Sequence, residues 1–251
     1  MVPSGYSGRK NVGREKYPDG IATSLLGSTR RRTDRGLQGA PAHNDSVFRG
    51  ISPAIKTWES IEGWLTDAEA SGLRDCVREF VNPPVIVELG SYFGRSTVVL
   101  AQELIERFGR PFGKADLPKL YAVDRWIRTP EVCPGYNLGG SKCVPGVDYM
   151  APFVENMKEM GLLFFVQPIR ALTTEVSRMF EDMSVDMIFH DASHDEASVR
   201  LDLDAWVNKL CLGGVWAHHD HHQSGGRVID GCDQLERKIV RDSLWVGRRV
   251  R

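Results

Sequence analysis

The chain has 251 residues, a formal net charge of −1 and five cysteines, which suits one α/β domain with a full core plus an appended tail. A near-neutral balance excludes a global pull toward nucleic acid or a membrane surface. No apolar run approaches the roughly 18 residues that span a bilayer, and no charged-then-apolar leader precedes a cleavage site, so the chain reads as cytoplasmic.

Residues 1–52 are rich in glycine, serine, proline and arginine and poor in large apolar side chains. They bury too little to offset ordering entropy and read as a disordered or loosely attached basic tail, with the folded domain over 53–251. Arg30, Arg31, Arg32 and Arg35 form a short solvated cluster without interleaved aromatics. The five cysteines show no CxxC spacing; Cys76 and Cys211 are expected as buried thiols, and Cys133 and Cys143 as reduced loop residues.

Thr66-Asp67-Ala68-Glu69 has the form of a capping box, and Leu73, Val77 and Phe80 follow at helical spacing. Asn82-Pro83-Pro84 ends that helix and leads into Val85-Ile86-Val87-Glu88-Leu89-Gly90-Ser91-Tyr92-Phe93-Gly94-Arg95-Ser96-Thr97. A β-branched run, an acid, two glycines four apart and an apolar-periodic segment read as strand, tight turn, helix. Gly90 turns the chain off the strand tip where a side chain would clash, and Gly94 lets backbone approach a ligand as the helix begins. Glu88 would repel a pyrophosphate but not a cationic nucleoside, and the pattern Glu-x-Gly-x-x-x-Gly departs from the dinucleotide fingerprint in the same direction.

After a breaker-rich connection from Gly109 to Pro118, a second strand, Leu120-Tyr121-Ala122-Val123, ends at Asp124, placed to accept both ribose hydroxyls. Residues 125–149 read as a long binding loop or lid with Trp126, Tyr136 and Tyr149 as its aromatics. Phe153, Met157 and Met160 predict a helix, and Leu162 to Val166 a third strand.

Val185 to His190 predicts a buried strand ending at Asp191, followed by His194 and an amphipathic helix carrying Val199, Leu203, Trp206, Val207 and Leu210 on one face. Gly213-Gly214 breaks the chain, and Val215-Trp216-Ala217 begins a fifth strand leading to His218-His219-Asp220-His221-His222. Both polar clusters fall at strand carboxyl ends, where open α/β sheets bind ligands. Strand alternation sends neighbouring histidines to opposite faces, so the whole cluster cannot meet one ion. Val228 to Val240 predicts a helix and Leu244 to Gly247 a short final strand.

The stretch from Val85 to Thr97 resembles motif I of class I S-adenosylmethionine-dependent methyltransferases, in particular a bacterial small-molecule O-methyltransferase family with versions such as "VEIGSYxGRST". The preceding Gly63 to Ala70 and the later Asp186 to Asp220 resemble the same family's "GWLTDAEA" and "DLIFIDGDHSYEGVxxDLxxWxxxLxPGGVIAGHDY", so the resemblance covers about residues 58–222. It implies a Rossmann-like α/β fold with a mostly parallel sheet, and transfer of the cofactor's methyl group to a hydroxyl of a small molecule, a sugar or phenol. The S-adenosylmethionine contacts it implies are Glu88, Gly90, Ser91, Tyr92, Gly94, Ser96, Asp124 and Arg125. The acidic segment that family members carry after the third strand is replaced here by Ala171-Leu172-Thr173.

In metal-dependent relatives such as catechol O-methyltransferase and macrolide-sugar O-methyltransferases, an acid after the fourth strand and a polar pair after the fifth hold Mg²⁺. Carried over, these fall on Asp191, His219 and Asp220, with Asp191 and His194 as the catalytic pair and His194 the candidate base. A histidine among the ligands suits Mn²⁺, Fe²⁺ or Zn²⁺ better than Mg²⁺, and a metal-free site stays open. The partner implied is a small hydroxylated acceptor rather than nucleic acid or membrane, with homo-oligomerisation left open. Two rivals remain: a metal-dependent hydrolase built on the His/Asp cluster, and a non-catalytic nucleoside-binding scaffold whose basic tail recruits a partner.

Overall fold

The computed structural model describes residues 57–109, 119–127 and 147–251. The expected tail, the connection after Gly109, the centre of the 125–149 loop, and Cys133 and Cys143 lie outside the described residues.

Seven strands form one sheet in the order β3-β2-β1-β4-β5-β7-β6, with β1 Val85–Leu89, β2 Lys119–Asp124, β3 Val166–Arg170, β4 Val185–His190, β5 Leu210–His218, β6 Leu235–Arg241 and β7 Leu244–Arg249. The first five strands pair in parallel, and β7 runs antiparallel to both β5 and β6. Alternate residues of each inner strand face two separate cores. Ile86, Met187, Phe189, Val215 and Ala217 pack with the helices α1 Asp67–Arg78, α2 Arg95–Phe108 and α3 Met150–Glu159. Val87, Leu89, Val185, Ile188 and Trp216 pack with α4 Thr173–Val176, α5 Glu196–Trp206 and α6 Gly226–Asp230 on the other face. Apolar residues on both faces are what a parallel sheet covered by helices requires. The strand order reverses between β1 and β4, so their carboxyl ends border a crevice of the kind that binds ligands. Among the described residues no helix is long and apolar enough to cross a membrane.

Five expectations change. The third strand begins at Val166, because Leu162 to Phe165 form a turn closing α3: the Leu162 amide donates to the Met157 carbonyl, and Phe164 is exposed. Gly213-Gly214 does not break the chain; β5 runs through it with a shift in register against β4. The helix predicted over 228–240 is only α6, and the rest is β6, where Ile239 and Val240 are part-exposed on an edge strand. The final strand expected as short over Leu244 to Gly247 runs on to Arg249 and pairs along β6. Cys76 is buried as expected, with its thiol pushed up to about 12 by burial, whereas Cys211 is partly exposed.

Candidate active site

The carboxyl ends of β2, β1, β4 and β5 stay knitted beyond the strands themselves. Gly90 donates its amide to the Val123 carbonyl (2.8 Å), Asp191 to Leu89 (2.8 Å) and His219 to His190 (3.0 Å). Residues that the chain separates by more than a hundred positions are thereby lined along one edge.

Glu88 does not project into that edge. Its side chain is 0 % exposed and accepts hydrogen bonds from the hydroxyls of Ser91 (2.7 Å), Ser96 (2.6 Å) and Thr97 (2.5 Å). The geometry makes Glu88 and Ser96 fasteners that tie the loop after β1 to the first turn of α2. Burial pushes the Glu88 carboxyl up to about 7 against the pull of these hydroxyls. Because the folded state then holds a proton that the unfolded chain releases near 4.5, stability should fall as pH rises from about 4.5 to 7, by roughly 3 kcal/mol in all. Glu88→Gln should flatten that part of the profile, read as the difference in urea midpoint between pH 5 and pH 8 in the two proteins. Equal slopes in both would show that Glu88 does not carry the effect.

Asp124 fastens the same loop from the other side. Its Oδ2 accepts the amides of Ser91 (3.1 Å) and Tyr92 (2.9 Å), and Oδ1 accepts that of Trp126 (2.7 Å). Tyr92 adopts a left-handed backbone, φ 46°, which brings two successive amides onto one carboxylate oxygen. Buried Trp126 donates its indole N–H to the Tyr92 carbonyl (2.7 Å), and Asn156 of α3 donates to Phe93 (2.8 Å). The Tyr92 ring stacks with half-exposed Trp64 at 5.8 Å and meets Tyr149 at 5.7 Å. Arg125 is exposed beyond the end of β2.

The two glycines have separate reasons. At Gly90, φ +91°, an added Cβ would lie 2.3 Å from the Asp191 carbonyl oxygen and 2.6 Å from the Ala192 Cα, so the tips of β1 and β4 touch through backbone alone. At Gly94, φ +90°, a Cβ would meet Met157 at 2.6 Å and Phe153 at 3.0 Å. The close approach on the Cβ side of Gly94 is thus by α3.

Beside the Gly90 contact lies a polar centre. His219 from the end of β5 is 4 % exposed at its side chain, with Nδ1 3.0 Å from Asp191 Oδ1 and Nε2 3.1 Å from Glu69 Oε2. His194 Nε2 lies 3.1 Å from Asp220 Oδ2 and 3.6 Å from Asp191 Oδ1. Asp220, at φ 54°, also accepts from Gln223 (2.8 Å). Burial opposes a charge on His219, but Asp191 and Glu69 prevail and raise its pKa to about 11. Burial lowers the pKa of His194 against the pull of Asp191 and Asp220. All four residues expected for chemistry, Asp191, His194, His219 and Asp220, therefore meet.

Glu69 and Ser243 were not expected there. Glu69 Oε1 accepts the amide (3.0 Å) and hydroxyl (2.5 Å) of Ser243 from the β6–β7 turn, while Oε2 also accepts the Thr66 amide (2.9 Å). Glu69 is visible in the sequence as the third helical residue of a capping box, and that box is formed; its second task depends on β5 folding across α1. The remaining histidines divide as alternation requires. His218 is buried on the opposite face against His190 (Nδ1 to Nδ1, 3.1 Å), whose Nε2 lies 3.0 Å from Asp202. His221 faces Asp230 at 3.1 Å, and His222 is exposed.

A seven-stranded sheet in which β7 alone runs against the rest, a glycine loop tied down by Glu88 of β1 and Asp124 at the end of β2, and a polar centre beyond β4 and β5 define a class I S-adenosylmethionine-dependent methyltransferase. The chain belongs to the family described as "Methyltransferase domain", whose model matches residues 87–221, and the hydrolase reading gives way to it. Among solved structures it is similar to the O-methyltransferase NovP, with TM-score 0.57 and 13 % identity over 73 % of this chain and 80 % of that one. It is also similar to the calicheamicin methyltransferase CalS11, with TM-score 0.52 and 18 % identity over 73 % and 80 %. A methyltransferase from Geobacter sulfurreducens matches with TM-score 0.51 and 13 % identity over 74 % and 81 %. At these identities the likeness concerns the fold.

The residues present fit the cofactor. Among the described residues Asp124 Oδ1 accepts one amide, which leaves it acceptor capacity for a ribose hydroxyl. Gly94 caps α2 without a side chain, which leaves that helix N-terminus open to a carboxylate. The donor set also fits a divalent cation: one ligand atom each from Asp191, His194 and His219 lies within 4.8 Å of the others. A histidine among the donors favours a borderline transition ion over Mg²⁺, which prefers oxygen.

Proposed function

We propose that the protein transfers the methyl group of S-adenosylmethionine to a hydroxyl of a small molecule, a sugar or phenol, assisted by a divalent cation at Asp191, His219 and Asp220. The observation that carries this reading is the backbone contact of Gly90 with Asp191, because it sets the loop expected to hold the cofactor directly against the acid and histidines expected to handle the acceptor. The descriptions of NovP as an O-methyltransferase and of CalS11 as a calicheamicin methyltransferase support the acceptor class.

S-adenosylmethionine supplies an electrophilic methyl group, and a cation would lower the pKa of the acceptor hydroxyl. The chain's own residues do the rest. The start of α2, beside the loop from Gly90 to Gly94, holds the methionine end, and Asp124 holds the ribose. His194, whose Nε2 faces Asp191 and Asp220, takes the hydroxyl proton. Alignment of hydroxyl and methyl supplies much of the rate, since in-line attack depends on near-contact geometry.

The test is calorimetric titration with S-adenosylmethionine before and after EDTA, followed by a screen of hydroxylated acceptors with Mn²⁺ or Mg²⁺ restored. Micromolar cofactor binding that survives chelation, with acceptor turnover that does not, is the expected pattern. Asp124→Asn should weaken the cofactor at least about tenfold, through loss of a charge-assisted bond and a loosened loop. Turnover that is indifferent to EDTA would remove the cation from the mechanism, and methylation confined to nitrogen acceptors would overturn the hydroxyl reading.

A further inference from the structure

We infer that the Thr173 hydroxyl, held by Asp202 of α5, reads the 6-amino group of the cofactor's adenine and makes the site select adenine over a 6-oxo purine such as hypoxanthine. The inference rests on the S-adenosylmethionine reading above and deepens it. It assigns base recognition to an acid that reaches the site from a helix, in a chain whose loop after β3 carries Ala171-Leu172-Thr173 in place of the expected acidic segment.

The position follows from Asp124. The Ala171 amide donates to the Asp124 backbone carbonyl (3.2 Å), so the loop after β3 lies directly beside the residue proposed to hold the ribose. A base attached to that ribose and turned toward β3 meets Leu172 and Thr173. Leu172 keeps an apolar side chain 44 % exposed there, suited to the face of a flat ring.

The selectivity follows from where the hydrogens go. A hydroxyl has one hydrogen and two lone pairs, and a carboxylate only accepts. Thr173 therefore spends its hydrogen on Asp202 Oδ1. Asp202 is 5 % exposed, and its Oδ2 faces His190 Nε2 at 3.0 Å, so the carboxylate is fixed from both sides. The Thr173 carbonyl takes the Trp206 indole N–H (3.0 Å), and the Leu172 amide is given to Glu175 Oε2 (3.3 Å). The Thr173 side chain thus presents to a ligand an oxygen with lone pairs and no hydrogen. Adenine offers a donor at its C6 position. Hypoxanthine offers a carbonyl oxygen there, which would meet the hydroxyl oxygen lone pair to lone pair and leave both desolvated without a bond. Thr173 makes the contact, and Asp202 is a positioning residue that sets its polarity.

The experiment titrates the full chain calorimetrically with S-adenosylhomocysteine and with S-inosylhomocysteine, which differ only in the 6-amino and 6-oxo forms of the purine, and records urea midpoints alongside. Wild type should bind the adenosyl ligand about ten- to a hundredfold more tightly than the inosyl one. Thr173→Val keeps the shape but removes the oxygen, and should bring the two affinities within about threefold of each other. Asp202→Asn points amide hydrogens at the Thr173 oxygen and frees the hydroxyl hydrogen for the ligand, so the ratio should collapse although the side chain that touches the base is intact. Thr173→Ser should restore the wild-type ratio. Equal binding of both ligands by wild type, or an unchanged ratio in Thr173→Val, would overturn the inference. A ratio kept in Asp202→Asn, whatever its urea midpoint, would reduce Asp202 to a structural residue and overturn its positioning role. Binding of neither ligand would instead overturn the S-adenosylmethionine reading on which the inference rests.

Discussion

Asp191→Asn is expected to lower turnover by about a thousandfold while S-adenosylmethionine still binds within a few-fold of wild type. Asp191 Oδ1 is the atom that both His219 and His194 approach, at 3.0 and 3.6 Å. Asparagine keeps the volume but removes the negative charge and offers N–H groups where an acceptor stood. The proposed base then loses its orientation, and the cation site loses its hardest ligand; general-base effects alone are worth about 10²–10⁴ in rate. Cofactor affinity should persist, because the Asp191 backbone that supports Gly90 is untouched by a side-chain exchange. Comparison of kcat with the calorimetric Kd checks the division of roles, and a parallel loss of both would show that Asp191 holds the cofactor as well. Asp220→Ala should follow the same pattern, since Asp220 Oδ2 meets the same His194 Nε2 at 3.1 Å.

Gly90→Ala should act in the opposite place and more broadly. At φ +91° an L residue is strained, and the new Cβ would stand 2.3 Å from a backbone oxygen and 2.6 Å from a backbone carbon. No side-chain rotation relieves a collision with backbone, so β1 and β4 must separate at their tips or the loop must move. Left-handed strain alone costs about 1–3 kcal/mol, and the displaced strand ends add to it, giving an expected loss of about 3 kcal/mol or more. Urea denaturation measures that loss, and titration with S-adenosylmethionine should show binding abolished in whatever fraction remains folded. A variant with wild-type stability and cofactor affinity would mean that the β1–β4 contact does not organise the site.

The elements around β1 were legible because local chemistry and tertiary demand agree there. Thr66 and Glu69 do form a capping box, β4 spans the predicted Val185–His190, and Asp124 ends its strand. The carboxyl-terminal segment was not legible. Val228, Leu235 and Ile239 satisfy a helical spacing, yet Gly231 ends α6 after one turn, and β7 offers β6 a pairing partner that periodicity cannot see. Likewise Gly213-Gly214 carries a chain-breaking signal, which the neighbouring β4 absorbs as a shift in register. Glu88 illustrates a third kind of gap: its type and place were readable, but not whether its charge faces a ligand or three hydroxyls.

By itself the sequence carried the resemblance to class I methyltransferases, and it placed glycine turns and strand-ending acids along one edge of the sheet, because those are constraints on adjacent residues. Which of the five neighbouring histidine and aspartate side chains from 218 to 222 reach that edge was half determined, since alternation separates His218 from His219 without saying which face each takes. Only the tertiary structure decided that α1 lies over the end of β5, so that Glu69 meets His219, and that the β6–β7 turn delivers Ser243 to the same carboxylate. Those contacts join residues 150 and 174 positions apart. Their partners are chosen by how helices pack on a twisted sheet, and no local pattern in the chain encodes that choice.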